Sequence, residues 1–206
     1  MNRETTRTDL ALTVALAGAL WFFAFAVPWG NFWVKIALSA AVLGALGLAL
    51  GREAMSWEFR PVDVLWGFGS AAALYGIFWA GNAVSGLLFD FADRQVGGIY
   101  ALGEGTDRWV VCLLLLLVTG PAEEIYWRGF LQEGLARRLS NLAGWVIATT
   151  LYALVHLPAW NFMLISAAAV AGAFWGLLYW RLRRIWPLII SHSAWSVAVF
   201  ALLPIR

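Results

Sequence analysis

The sequence predicts an all-α polytopic transmembrane helix bundle of about seven spans, and three observations carry that prediction. The 206-residue chain is 62% hydrophobic and only 13% charged, with a mean hydropathy of +0.76. A soluble domain of this length cannot hide so much apolar surface, because its exterior must be largely polar. Seven apolar stretches approach the roughly 20 residues that cross a bilayer. Turn residues, among them Pro28-Trp29-Gly30, Gly51, Pro158 and Pro187, fall at their ends.

The first stretch, residues 10–28, follows Arg3 and Arg7 and contains "AFA" at 24–26, the small-x-small look of a signal-peptidase site. Pro28 comes almost at once and a second apolar run begins near Asn31, so 10–28 reads as a retained span rather than a cleaved signal. Spans two and three cover 31–50 and 64–89. The fourth, 109–135, is interrupted by an acidic pair, and 142–158, 160–180 and 185–204 complete the set. No repeat, low-complexity tract or long linker divides the chain, so 1–206 reads as a single integral membrane domain.

The basic residues orient it. With the N-terminus cytoplasmic, the inner side receives Arg3, Arg7, Arg52, Arg60, Arg137, Arg138, Arg181, Arg183 and Arg184. The outer side receives Lys35 (by snorkelling), Arg94, Arg108 and Arg206, together with the acidic loop of Asp90, Asp93, Glu104 and Asp107. That bias obeys the positive-inside rule. Short loops and this pattern suit a bacterial inner (plasma) membrane. No basic stretch is interleaved with aromatics, so no nucleic-acid partner is expected. The one cysteine, Cys112, lies in an apolar run and reads as a packing or lipid-facing residue.

Tryptophans 29, 33, 109, 145, 160, 180 and 186 lie near span ends and read as an interfacial belt. Trp127 and Trp195 sit deeper and are placed to wall a cavity. The small residues of "SAAAVAGAFWG", 166–176, read as close helix packing without chemistry.

Ionisable residues then appear at membrane depth, where charge is expensive. Span four carries Glu123, Glu124 and Arg128 in "GPAEEIYWRGF"; spans five and seven carry His156 and His192, the only two histidines. Glu124 and Arg128 are i and i+4, about 40° apart on the helical wheel, and can pair along one face. Glu123 lies about 140° from Arg128. The division of labour expected is a structural Glu124–Arg128 pair, with Glu123 facing a cavity where it can accept a proton from water. Tyr152 and His156 are i, i+4, as are His192 and Ser196, so each ring has a hydrogen-bonding side chain on its own helical face. Taken singly, each of these residues also has a plain structural reading as a satisfied buried group.

"EEIYWR" is an EExxxR motif, "YALVH" resembles FxxxH with Tyr for Phe, and "HSAWS" resembles HxxxN with Ser for Asn. In this order the three motifs resemble the CAAX protease and bacteriocin-processing (CPBP, or Abi) family of intramembrane endopeptidases, over a catalytic core of residues 108–204. The resemblance implies that Glu123 activates a water and His156 shuttles a proton or positions that water. It implies that His192, with the residue at 196, stabilises the oxyanion; Glu124, Arg128 and Tyr152 support the site. Ser196 is the departure, a short hydroxyl where the family pattern has a longer amide donor.

Glu123, His156 and His192 are also a possible zinc set with an open position for water. The spacings are not those of HExxH, and neither histidine has an evident carboxylate behind it, so a glutamate-activated water without a metal cofactor is the simpler expectation. Two functions follow. One is hydrolysis of a peptide bond near the membrane surface, in a precursor peptide or a C-terminal sorting or CAAX-like tail. The other is a non-catalytic protein of the same fold with an immunity or scaffold role. In either case the partners are the bilayer and a membrane-associated peptide or protein.

Overall fold

The computed structural model describes residues 6–205; Arg3 and Arg206 of the charge pattern lie outside them. The described residues form an all-helical bundle. Six helices are long and apolar enough to span a membrane and a shorter one joins them, matching the expected seven.

Helix α1, Arg7–Ala26, opens with a reciprocal cap in which Asp9 N donates to Thr6 Oγ1 and Thr6 N to Asp9 Oδ2. It ends before Pro28, and its last orphan carbonyl, Val27 O, accepts from Lys35 Nζ at 2.5 Å. Lys35 is therefore buried at 7% exposure rather than reaching outward. The cation at a helix C-terminus offsets part of its burial cost. Helix α2, Phe32–Gly51, returns across the bundle and is capped by Asn31. Helix α3, Val62–Leu88, lies mostly at the surface.

A short helix, α4, Ala92–Ala101, sits where the sequence shows only an acidic outer loop. Two glycines and a polar first turn make "ADRQVGGIYA" a poor helix on propensity alone. Tertiary contacts hold it: Gln95 accepts from Asn161 Nδ2 and from Met163 N, and Tyr100 Oη accepts from Ile205 N.

Helix α5, Arg108–Arg138, is the longest, at 31 residues, and runs through the centre. Its hydrogen-bond ladder shifts register twice, at Leu115–Thr119 and Ile125–Gln132, with Gly120 N donating to Leu115 O five residues back. Pro121 has no N–H for the regular ladder, which accounts for a break at that point. Such π-helical turns favour functional sites, and Glu123 and Glu124 lie between the two. Close approach permits the central position. A Cβ on Gly44 of α2 would fall 2.8 Å from Ala122 Cβ, and one on Gly120 would fall 2.4 Å from Ser193 Oγ. Small residues at these crossings let backbones meet.

Helices α6 (Asn141–Leu154), α7 (Phe162–Leu182) and α8 (Trp186–Leu202) complete the bundle. At one end Glu133 accepts from Arg137 Nε and Arg183 Nη1, and Asp63 pairs with Arg184 at 2.6 Å. These are residues of the arginine-rich rim. Of the tryptophans expected in an interfacial belt, Trp29, Trp109 and Trp160 are strongly exposed at span ends, whereas Trp33 is buried. Its ring packs against Phe32 and Phe200 and is buried, because the turn after α4, at Gly103, and the end of α8 cover that part of α2.

Candidate active site

A cavity of about 310 Å³ opens between the helices, and Glu123, Tyr152, His156, His192 and Ser196 all line it. Helices α5, α6 and α8, with the turn after α6 that carries His156, thus bring these groups to one space. Each of them is at most 8% exposed.

Glu123 and Glu124 diverge as the helical wheel requires. Glu123 Oε2 accepts from Tyr152 Oη at 2.8 Å, leaving Oε1 as its second acceptor oxygen. Glu124 is fully buried, and its Oε1 accepts from Arg128 Nη1 at 2.9 Å. The same oxygen accepts from His192 Nδ1 at 2.6 Å. Arg128 also lies over the Tyr152 and Trp175 rings at 4.8 and 5.4 Å, and Nη2 reaches Gly172 O at 3.5 Å. The ion pair therefore does more than neutralise itself: it holds one edge of the His192 ring. This corrects the sequence-level statement that neither histidine has a carboxylate behind it. Glu124 and His192 are 68 residues apart, and their contact depends on the close α5–α8 crossing at Gly120.

Local i, i+4 neighbours orient the histidines differently from the expectation. The Tyr152 hydroxyl serves Glu123, and it is the Tyr152 carbonyl that accepts from His156 Nδ1 at 2.7 Å. A carbonyl only accepts, so Nδ1 carries the proton and Nε2 has the lone pair. Nε2 in turn accepts from Trp21 Nε1 at 3.3 Å. Ser196 lines the cavity, but His192 Nδ1 bonds Glu124 rather than the hydroxyl one turn on.

Two tryptophans complete the site without a sequence signal. Trp175 stacks on His192 with ring centroids 3.9 Å apart and planes at 17°. Its Nε1 donates to Ser191 Oγ, which also accepts from Ser70 Oγ on α3. Trp175 lies inside the small-residue stretch to which packing alone was assigned. Trp21 comes from α1, 135 positions from the histidine it meets. Nothing local in "GALWFFAF" distinguishes it from its neighbours. Of the two deep tryptophans expected at a cavity, Trp195 lines it. Trp127 is instead packed edge-on to Trp21, Tyr126 and Tyr152.

Both His156 nitrogens and one Glu123 oxygen are engaged by protein groups, and among the described residues no three His, Cys, Asp or Glu converge as ligands. The carboxylate behind His192 is of the kind that orients metal-bound imidazoles, but it serves that one ring.

Comparison with known proteins agrees with the motifs. Residues 105–198 match the family model described as type II CAAX prenyl endopeptidase Rce1-like. No curated protein and no solved structure shows a significant match.

Proposed function

We propose that this protein, whose residues 105–198 resemble the type II CAAX prenyl endopeptidases, hydrolyses a peptide bond inside its cavity by means of a glutamate-activated water. The observation that carries the reading is the single cavity lined by Glu123, His156 and His192. Glu123, braced by Tyr152 through Oε2, takes a proton from water at Oε1, and the water oxygen adds to the peptide carbonyl carbon. The resulting oxyanion is met by the groups of α8. His192 has Nδ1 fixed on Glu124, so Nε2 is its remaining contact atom; carrying a proton, it donates to the oxyanion. Ser196 Oγ adds a second donor, directly or through a water. Collapse breaks the C–N bond, and the proton held by Glu123 passes to the leaving amine. His156 Nε2 is an acceptor that exchanges Trp21 for the incoming water and positions it.

This scheme uses no metal cofactor. The substrate is a membrane-associated peptide or protein, a precursor or a chain with a C-terminal sorting or CAAX-like tail, and the setting is a bacterial inner membrane. Cleavage of a quenched fluorescent peptide by the purified wild type, lost in Glu123→Gln, tests the reading. One observation favours the non-catalytic alternative with an immunity or scaffold role: position 196 carries a short hydroxyl. A wild type that cuts nothing, beside a Ser196→Asn variant that does, would establish that alternative.

A further inference from the structure

The cavity is not centred in the bundle. In α1 and α2 it is lined near the turn that joins them, by Phe25, Phe32 and Trp33. In α3 it is lined by residues 77–85, far from Arg60, and α4 roofs it with Val96, Ile99 and Tyr100. The first half of α5, the end of α6, the start of α7 and the second half of α8 supply the rest. In each helix these residues lie away from the end that carries Arg7, Arg52, Arg60, Arg137, Arg138, Arg181, Arg183 or Arg184. The polar site sits at mid-depth, and the other lining residues lie toward the arginine-poor end. That end carries the exposed Asp90, Asp93, Glu104 and Asp107.

Basic residues in short loops mark the cytoplasmic side. We infer that the site is entered from the extracytoplasmic face, and that its substrate is a polypeptide segment already exposed on that face, with the scissile bond in the outer half of the bilayer. A chain whose cleavage site stays in the cytoplasm would have to pass the arginine end, where Glu133 pairs with Arg137 and Arg183 and Asp63 with Arg184. The inference rests on the proteolytic reading for its substrate but not for its orientation.

Two measurements on the full-length protein separate these. In a Cys112→Ala background, Glu104→Cys lies beside the cavity roof and Arg181→Cys at the arginine end, both exposed. A membrane-impermeant maleimide applied to intact spheroplasts is expected to label Glu104→Cys at least tenfold more than Arg181→Cys, with the difference lost on permeabilisation. The reverse pattern overturns the inference. Second, a farnesylated quenched CAAX peptide is added to sealed membrane vesicles of each orientation. Cleavage is expected in right-side-out vesicles, with inside-out vesicles inactive until permeabilised and Glu123→Gln inactive in both. Cleavage confined to inside-out vesicles overturns the inference while keeping the protease. Maleimide labelling as expected with no cleavage from either face rejects the proteolytic reading and with it the substrate class.

Discussion

Glu124 Oε1 accepts from both Arg128 Nη1, at 2.9 Å, and His192 Nδ1, at 2.6 Å. One fully buried carboxylate oxygen thus joins the ion pair of α5 to the ring that α8 presents to the cavity. Removing Arg128 leaves the buried Glu124 carboxylate with His192 Nδ1 as its remaining partner, in a site where breaking a buried ion pair costs about 3–5 kcal/mol. Arg128→Ala is therefore expected to lower the thermal midpoint sharply, read by unfolding in detergent. A midpoint within about one degree of wild type contradicts the account of the pair.

The stacked Trp175 makes a separable contribution. Trp175→Phe keeps an aromatic face against His192 but loses the donor to Ser191, so kcat is expected to fall about threefold with KM unchanged. Trp175→Ala frees the ring face and opens a large void, with a fall of at least thirtyfold and a loss of roughly 3–5 kcal/mol in stability. Steady-state kinetics beside thermal unfolding separate the two effects. Equal activities of the Phe and Ala variants would show that stacking does not position the imidazole.

Ser196 tests the departure from the family pattern. Ser196→Ala is expected to lower kcat by roughly tenfold with little change in KM, since a donor to the oxyanion acts mainly in the transition state. Ser196→Asn should retain or raise activity, because it restores a longer donor on the same helical face. His192→Ala should cost more than Ser196→Ala. An activity of Ser196→Ala equal to wild type removes the oxyanion role from this position.

Dialysis against a strong chelator is expected to leave cleavage intact, with elemental analysis finding less than stoichiometric zinc. Stoichiometric zinc that disappears in His156→Ala together with activity would favour a metallopeptidase instead.

The spans and the charged residues of the site were legible in the sequence for different reasons. Apolar length reports spans directly, and a carboxylate or histidine at membrane depth stands out against its surroundings. The helical wheel also separates Glu124, facing Arg128, from Glu123, facing the cavity. Long-range partners leave no such trace. Trp21 on His156, Glu124 behind His192 and the Ser70–Ser191–Trp175 chain join residues whose meeting depends on how helices cross. Helix α4 escaped because its tertiary ties, not its composition, hold it.

The central claim is that Glu123 activates water while Glu124 and Arg128 hold the frame, and Glu123→Gln tests it most directly. The substitution keeps the side-chain shape and an oxygen for the Tyr152 hydroxyl, while the proton acceptor is lost. Cleavage of a quenched peptide should fall to background with the thermal midpoint near that of wild type. A Glu123→Gln protein that cleaves at the wild-type rate contradicts the account.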